Sequence, residues 1–131
     1  MEERAAIVCR WMLGAFALTR LSLWFRPNAD FNVGPYNVHH LFTGVLIVSA
    51  AGMAATASGL GARAKDTCAA FFGIGLALTL DEWIYLIVTD GTNASYWSTP
   101  SVVGGFVAVG LAAGCLALIS FRTPSHPPSR P

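Results

Sequence analysis

The chain has 131 residues, of which 54% are hydrophobic and only 11% charged, against about 25% charged residues in a soluble domain. Its formal net charge of +1, from 8 basic and 7 acidic residues, offers a nucleic acid no electrostatic footprint. This composition excludes a disordered chain and an ordinary soluble enzyme, and it points to a single membrane domain.

Four stretches approach the roughly 20 apolar residues that a helix needs to cross a hydrocarbon core of about 30 Å. The first runs from about 5 to 25, ahead of Pro27. It is too long for a signal-peptide core and no small-residue cleavage site follows it, so it is expected to be a retained helix. The second, from about 37 to 58, stops at the turn Gly59-Leu60-Gly61. The third covers about 67 to 89 and the fourth about 101 to 121. None has the period-two alternation of a membrane strand. The tail from 123 to 131 is rich in proline and is expected to be disordered. The predicted fold is therefore all-α: a polytopic four-helix transmembrane bundle within residues 1–122.

Basic residues in short loops set orientation. Arg4, Arg63, Lys65, Arg122 and Arg130 fall on one side, with Arg10 nearby, whereas the other side has Arg26 alone. Both termini are thus expected in the cytoplasm, in a multi-pass protein of the inner (cytoplasmic) membrane. The loops 26–36 and 90–100 then face outward. The aromatic residues there, Trp24, Phe25, Phe31, Tyr36, Tyr96 and Trp97, suit an interfacial belt. The cysteines, Cys9, Cys68 and Cys115, sit toward the reducing side, which argues against disulfides.

Ionisable residues inside a span are costly, near 3 kcal/mol for Asp or Arg at a helix centre. The chain places Arg20 on the first span, His39 and His40 on the second, and Asp81 and Glu82 on the third. Alternating span direction brings all five to similar depth in the outer half. Ala69, Gly73, Ala77, Asp81 and Tyr85 recur every fourth residue, and small residues at that spacing let helices approach closely. The row His40, Gly44, Val48, Gly52 does the same for the second span. Neighbouring residues on a helix point about 100° apart, so one helix is expected to offer only part of each pair to a single point, with Asp81 or Glu82 facing elsewhere.

Two histidines with two carboxylates form the donor set of a non-haem iron, manganese or zinc site. His39, His40, Asp81 and Glu82 are the candidate ligands. Arg20 would supply counter-charge, and Tyr85 and Asn37 would support the ligands. The alternatives are an Arg–acid–His network that is purely structural, or one lining an ion or proton path. No Glu-x-x-His or His-Glu-x-x-His is present to fix a metal by spacing.

Asn37-x-His39-His40, the glycine-rich third span, Leu80-Asp81-Glu82-Trp83 and Tyr96-Trp97 together resemble a group of small bacterial four-helix integral membrane proteins. The resemblance covers roughly residues 37–97. It implies the fold and marks His39, His40, Asp81 and Glu82, and it carries no activity. The expected function is a polar His/carboxylate centre in the outer half, acting on a lipid-like or quinol substrate. The expected partners are membrane lipids, with a second copy of the chain or a larger membrane complex as further candidates.

Overall fold

The computed structural model describes residues 2–27 and 32–122. Helix α1 spans Glu2–Phe25, α2 His40–Ala55, α3 Ala62–Val88, α4 Asn93–Tyr96 and α5 Thr99–Arg122. Strands β1 (Asn32–Val33) and β2 (Tyr36–Asn37) form a minimal antiparallel hairpin, with Val33 opposite Tyr36. The tail from 123 to 131 lies outside the described residues, as do Phe31 and the side chains of Tyr36 and Asn37, so the supporting role expected of Asn37 is not placed.

The fold is all-helical apart from that hairpin. Three helices, α1, α3 and α5, are long and apolar enough to cross a membrane. At 1.5 Å per residue they measure roughly 36–40 Å. The second predicted span is shorter than expected: α2 has 16 residues, about 24 Å. His39 is extended (φ −62°, ψ 145°) rather than helical, and at the other end Gly59 turns the chain at φ 84°.

Helix α3 is the hub, and glycine makes it one. Gly75 of α3 and Gly44 of α2 meet face to face. A Cβ on Gly44 would lie 2.7 Å from the Gly75 carbonyl, and one on Gly75 would lie 2.5 Å from the Val48 amide. On another side of α3, a Cβ on Gly73 would strike the Val8 carbonyl of α1. Backbones at this separation bring many atom pairs into contact, which is how helices associate where lipid already solvates apolar groups. Helix α5 closes on both α1 and α3, with Phe16 and Phe106 edge to face at 5.1 Å. Met12, Phe16, Ala77, Leu80 and Val109 form the buried apolar core between these three helices.

Two ion pairs fix the relative directions. Arg4 meets Asp66 near the N-terminal ends of α1 and α3, and Arg20 meets Asp81 near their C-terminal ends. The two helices therefore run parallel. His40, the first residue of α2, reaches Asp81, so α2 runs antiparallel to both. Gly105, near the start of α5, also lies against Asp81 and Arg20, which makes α5 antiparallel as well. The polar centre thus sits at one end of the bundle, above the apolar core.

Candidate functional site: a His–carboxylate centre roofed by tyrosine

Asp81 is completely buried and Glu82 is 4% exposed. Both acids engage partners, despite pointing in different directions around α3. Asp81 faces α1 and α4. Its Oδ1 accepts from Arg20 Nε at 2.6 Å, and its Oδ2 accepts from His40 Nε2 at 2.9 Å and from the Tyr96 hydroxyl. Arg20 Nη2 also donates to the Asp81 carbonyl at 3.4 Å. Glu82 faces the start of α2. Its Oε2 accepts the Leu41 amide at 2.8 Å, and its Oε1 lies 3.1 Å from His39 Nδ1 and 3.4 Å from His40 Nδ1.

The Leu41 contact explains where α2 begins. The first amides of a helix lack intrahelical partners, and His39 provides no side-chain cap. Glu82 supplies a carboxylate from a neighbouring helix instead, and negative charge there also complements the helix dipole. Asp81 and Glu82 together pull α2 into register so that its first turn starts at their level.

His40 stands between the two acids, with Nε2 2.9 Å from Asp81 Oδ2 and Nδ1 3.4 Å from Glu82 Oε1. Arg20, a permanent cation, holds the other Asp81 oxygen. His39 is arranged differently. Its Nδ1 donates to Glu82, and its Nε2 bonds no group among the described residues. Its side chain is 18% exposed and Nε2 is not one of the fully buried polar atoms without a partner, so the uncommitted nitrogen reaches the surface at the mouth of the centre.

Tyr96 is the residue that the sequence misassigned. Expected in the interfacial belt, it is instead 6% exposed and roofs the centre. Its ring lies 4.4 Å from the Arg20 guanidinium carbon, a cation–π contact, and 5.4 Å from the Tyr85 ring. Helix α4 places it there. Thr92 caps that helix by accepting from the Ser95 amide, and the Asp90 carboxylate accepts from the Thr92 amide and hydroxyl at 3.1 and 2.9 Å. Bonds from Ser95 and then Thr92 hold the exposed Asp90 carboxyl below its ordinary pKa. Tyr85, the expected orienter, donates its hydroxyl to the Thr92 carbonyl at 3.1 Å and sets its ring 5.7 Å from His39. It therefore ties the roof to the floor. Trp97, also assigned to the belt, packs edge to face on Trp24 and Tyr96.

Gly105 is a further participant, because a Cβ there would come within 2.8 Å of Arg20 Nη2. Arg20 Nη1 and the hydroxyls of Ser98 and Ser101 are buried with no partner among the described residues, which leaves hydrogen-bonding capacity beside Asp81. The donor types of an iron, manganese or zinc centre do meet here, yet they are spent on one another. Among the described residues no three His, Cys, Asp or Glu side chains form a group that could hold a metal ion.

Burial raises the pKa of the Tyr96 hydroxyl, and the Asp81 charge raises it further. The unfolded phenol ionises near pH 10 while the folded one keeps its proton. The stability contributed by Tyr96 is therefore intact below about pH 10 and erodes as pH rises beyond it. Unfolding followed at pH 8 to 11 is expected to show a steeper loss for the wild type than for Tyr96→Phe. Equal slopes would mean that the phenol ionises as freely in the bundle as in water.

No family model, curated protein or solved structure matches this chain.

Proposed function

We infer that the chain is a four-pass membrane protein carrying an acid–base centre on its outer face, where it acts on a lipid-like substrate at headgroup level. The observation that carries this is the His39–Glu82 dyad. A carboxylate on Nδ1 favours the tautomer that carries its proton there and leaves Nε2, which makes no other bond among the described residues, as the free acceptor. In that geometry Nε2 takes a proton from water or a headgroup hydroxyl, and the imidazolium returns it to the leaving group. Asp81, Arg20 and His40 hold the dyad in place.

Several features support the membrane arrangement. Basic residues cluster at the end of the bundle away from the centre, which supports an arrangement with both termini inside and the centre outside. On this reading the hairpin and His39 would extend the crossing that the 16-residue α2 begins. The apolar core of Met12, Phe16, Ala77, Leu80 and Val109 lies directly below the centre. It favours chemistry with access from one side over an ion or proton path through the bundle.

The test uses protein reconstituted in vesicles of mixed phosphatidylethanolamine, phosphatidylglycerol and phosphatidylcholine, with lipids followed by mass spectrometry. A product is expected with the wild type. His39→Ala and Glu82→Gln should slow its formation by at least about 10²-fold, the usual weight of a general base, while His39→Ala stays folded. No lipid conversion, or conversion indifferent to His39, would overturn the proposal. Stoichiometric iron, manganese or zinc that is lost in His39→Ala would replace the dyad with metal-activated water.

A further inference from the structure

At the opposite end of the bundle, α1 and α2 diverge across the face of α3 and leave a groove of about 390 Å³. Its walls are apolar and come from all three helices, with Val8 from α1, Ala51 and Gly52 from α2, and Phe72 from α3. Its remaining lining includes Arg4 and Lys65, both partly buried. Arg4 commits its Nε to Asp66 at 3.2 Å, which leaves its two terminal nitrogens. Lys65 makes no ion pair among the described residues.

We propose that this groove seats an acyl chain of an anionic glycerophospholipid, with the lipid phosphate held by Lys65 and Arg4. The occupant follows from the two kinds of surface. The walls exclude a fully soluble ligand, because they belong to helix faces in the apolar layer. The cations select against a zwitterionic headgroup, whose ammonium they would repel. Asp66 offsets one of the two cations and leaves the other, and the start of α3 adds a field of the same sign, since Gly61 gives no side-chain cap and the first turn holds no acid. A phosphate there would offset both the helix dipole and the basic side chains. The positive-inside rule assigns this end to the cytoplasmic leaflet, whose anionic lipids attract basic residues near the membrane surface. The site lies at the other end of the bundle from the acid–base centre and does not depend on it.

Native mass spectrometry of the full chain, released from detergent with equimolar phosphatidylglycerol and phosphatidylcholine of matched chains, tests the proposal. The wild type should retain one phosphatidylglycerol in preference to phosphatidylcholine. Lys65→Gln should lower that preference about fivefold, the weight of one basic residue at an anionic surface. Gly52→Leu should abolish retention of both lipids by filling the groove. Its first added atom fits, because a Cβ at Gly52 meets only a Phe72 ring carbon at 3.8 Å. Arg26→Gln, at the other end, should change nothing. Equal retention of the two lipids by the wild type would overturn the proposal. So would a preference that survives Lys65→Gln, or displacement of the lipid by soluble glycerol 3-phosphate, which would make the site one for free phosphate.

Discussion

Replacing Asp81 with leucine is expected to destabilise the bundle by about 3–5 kcal/mol, the usual cost of stranding a buried charge. Asp81 is completely buried and Arg20 is 8% exposed. Without the carboxylate, the guanidinium keeps its charge and loses its anionic acceptor, retaining only the backbone carbonyl at position 81, and the Tyr96 hydroxyl and His40 Nε2 lose theirs. The reverse change should cost less. In Arg20→Leu, Asp81 still accepts from His40 and Tyr96, so its charge remains partly compensated. The double variant Arg20→Leu/Asp81→Leu should recover much of the loss, because no buried guanidinium is then left unpaired. Denaturant unfolding in detergent measures all three. A double variant as unstable as the sum of the singles would show that the two groups do not form the pair described here.

The second large effect is expected where α2 and α3 touch through glycine. Gly44→Ala and Gly75→Ala should each cost about 1–3 kcal/mol, the range for overpacking. Besides the Thr79 hydroxyl at Gly44, the struck atoms are backbone: the Gly75 carbonyl and Thr79 amide for Gly44, the Val48 amide and Gly44 carbonyl for Gly75. Unlike a side-chain end, these cannot rotate away, so the helices must separate. Separation caused by one substitution makes room for the other, and the double variant should cost clearly less than the sum. Gly110→Ala and Gly114→Ala provide the contrast. A Cβ at either meets nothing within 4 Å, and replacing a helical glycine removes a penalty of about 0.5–1 kcal/mol. Those variants should match or slightly exceed the wild type. Uniform effects across the four positions would contradict the close α2–α3 approach.

Much of this architecture was legible in the sequence because apolar length and small-residue spacing act locally. The row Ala69, Gly73, Ala77, Asp81, Tyr85 is buried along its whole length, and the depth argument paired Arg20 with an acid. The helix limits of α1 and α5 fall within three residues of those expected, whereas α3 begins five residues earlier, at Ala62. The start of α2 was not legible, because its cap comes from Glu82, 41 residues away. Nothing near His39 announces it. Tyr96 was missed for a related reason. An aromatic residue in an outer loop is indistinguishable from an interfacial anchor until the Tyr85–Thr92 bond folds that loop inward. The spacing of Thr92 and Ser95, a one-turn helix cap just ahead of Tyr96, was the signal that was present. The angle between adjacent residues also led to the expectation that one of the two acids faces elsewhere. Both serve one centre, because His40 stands between them and meets Asp81 with one ring nitrogen and Glu82 with the other.

The distinction between the two histidines is the centre of this account, and their reactivity toward diethyl pyrocarbonate tests it most directly. The folded protein is treated briefly and the modified residues are mapped by mass spectrometry. Their side chains are similarly exposed, 18% for His39 and 22% for His40, so only the hydrogen bonding of the ring nitrogens separates them. The account predicts that His39 is acylated at Nε2 while His40 is spared, and that Asp81→Asn makes His40 reactive. Equal modification of the two, or an inert His39 beside a reactive His40, would contradict it.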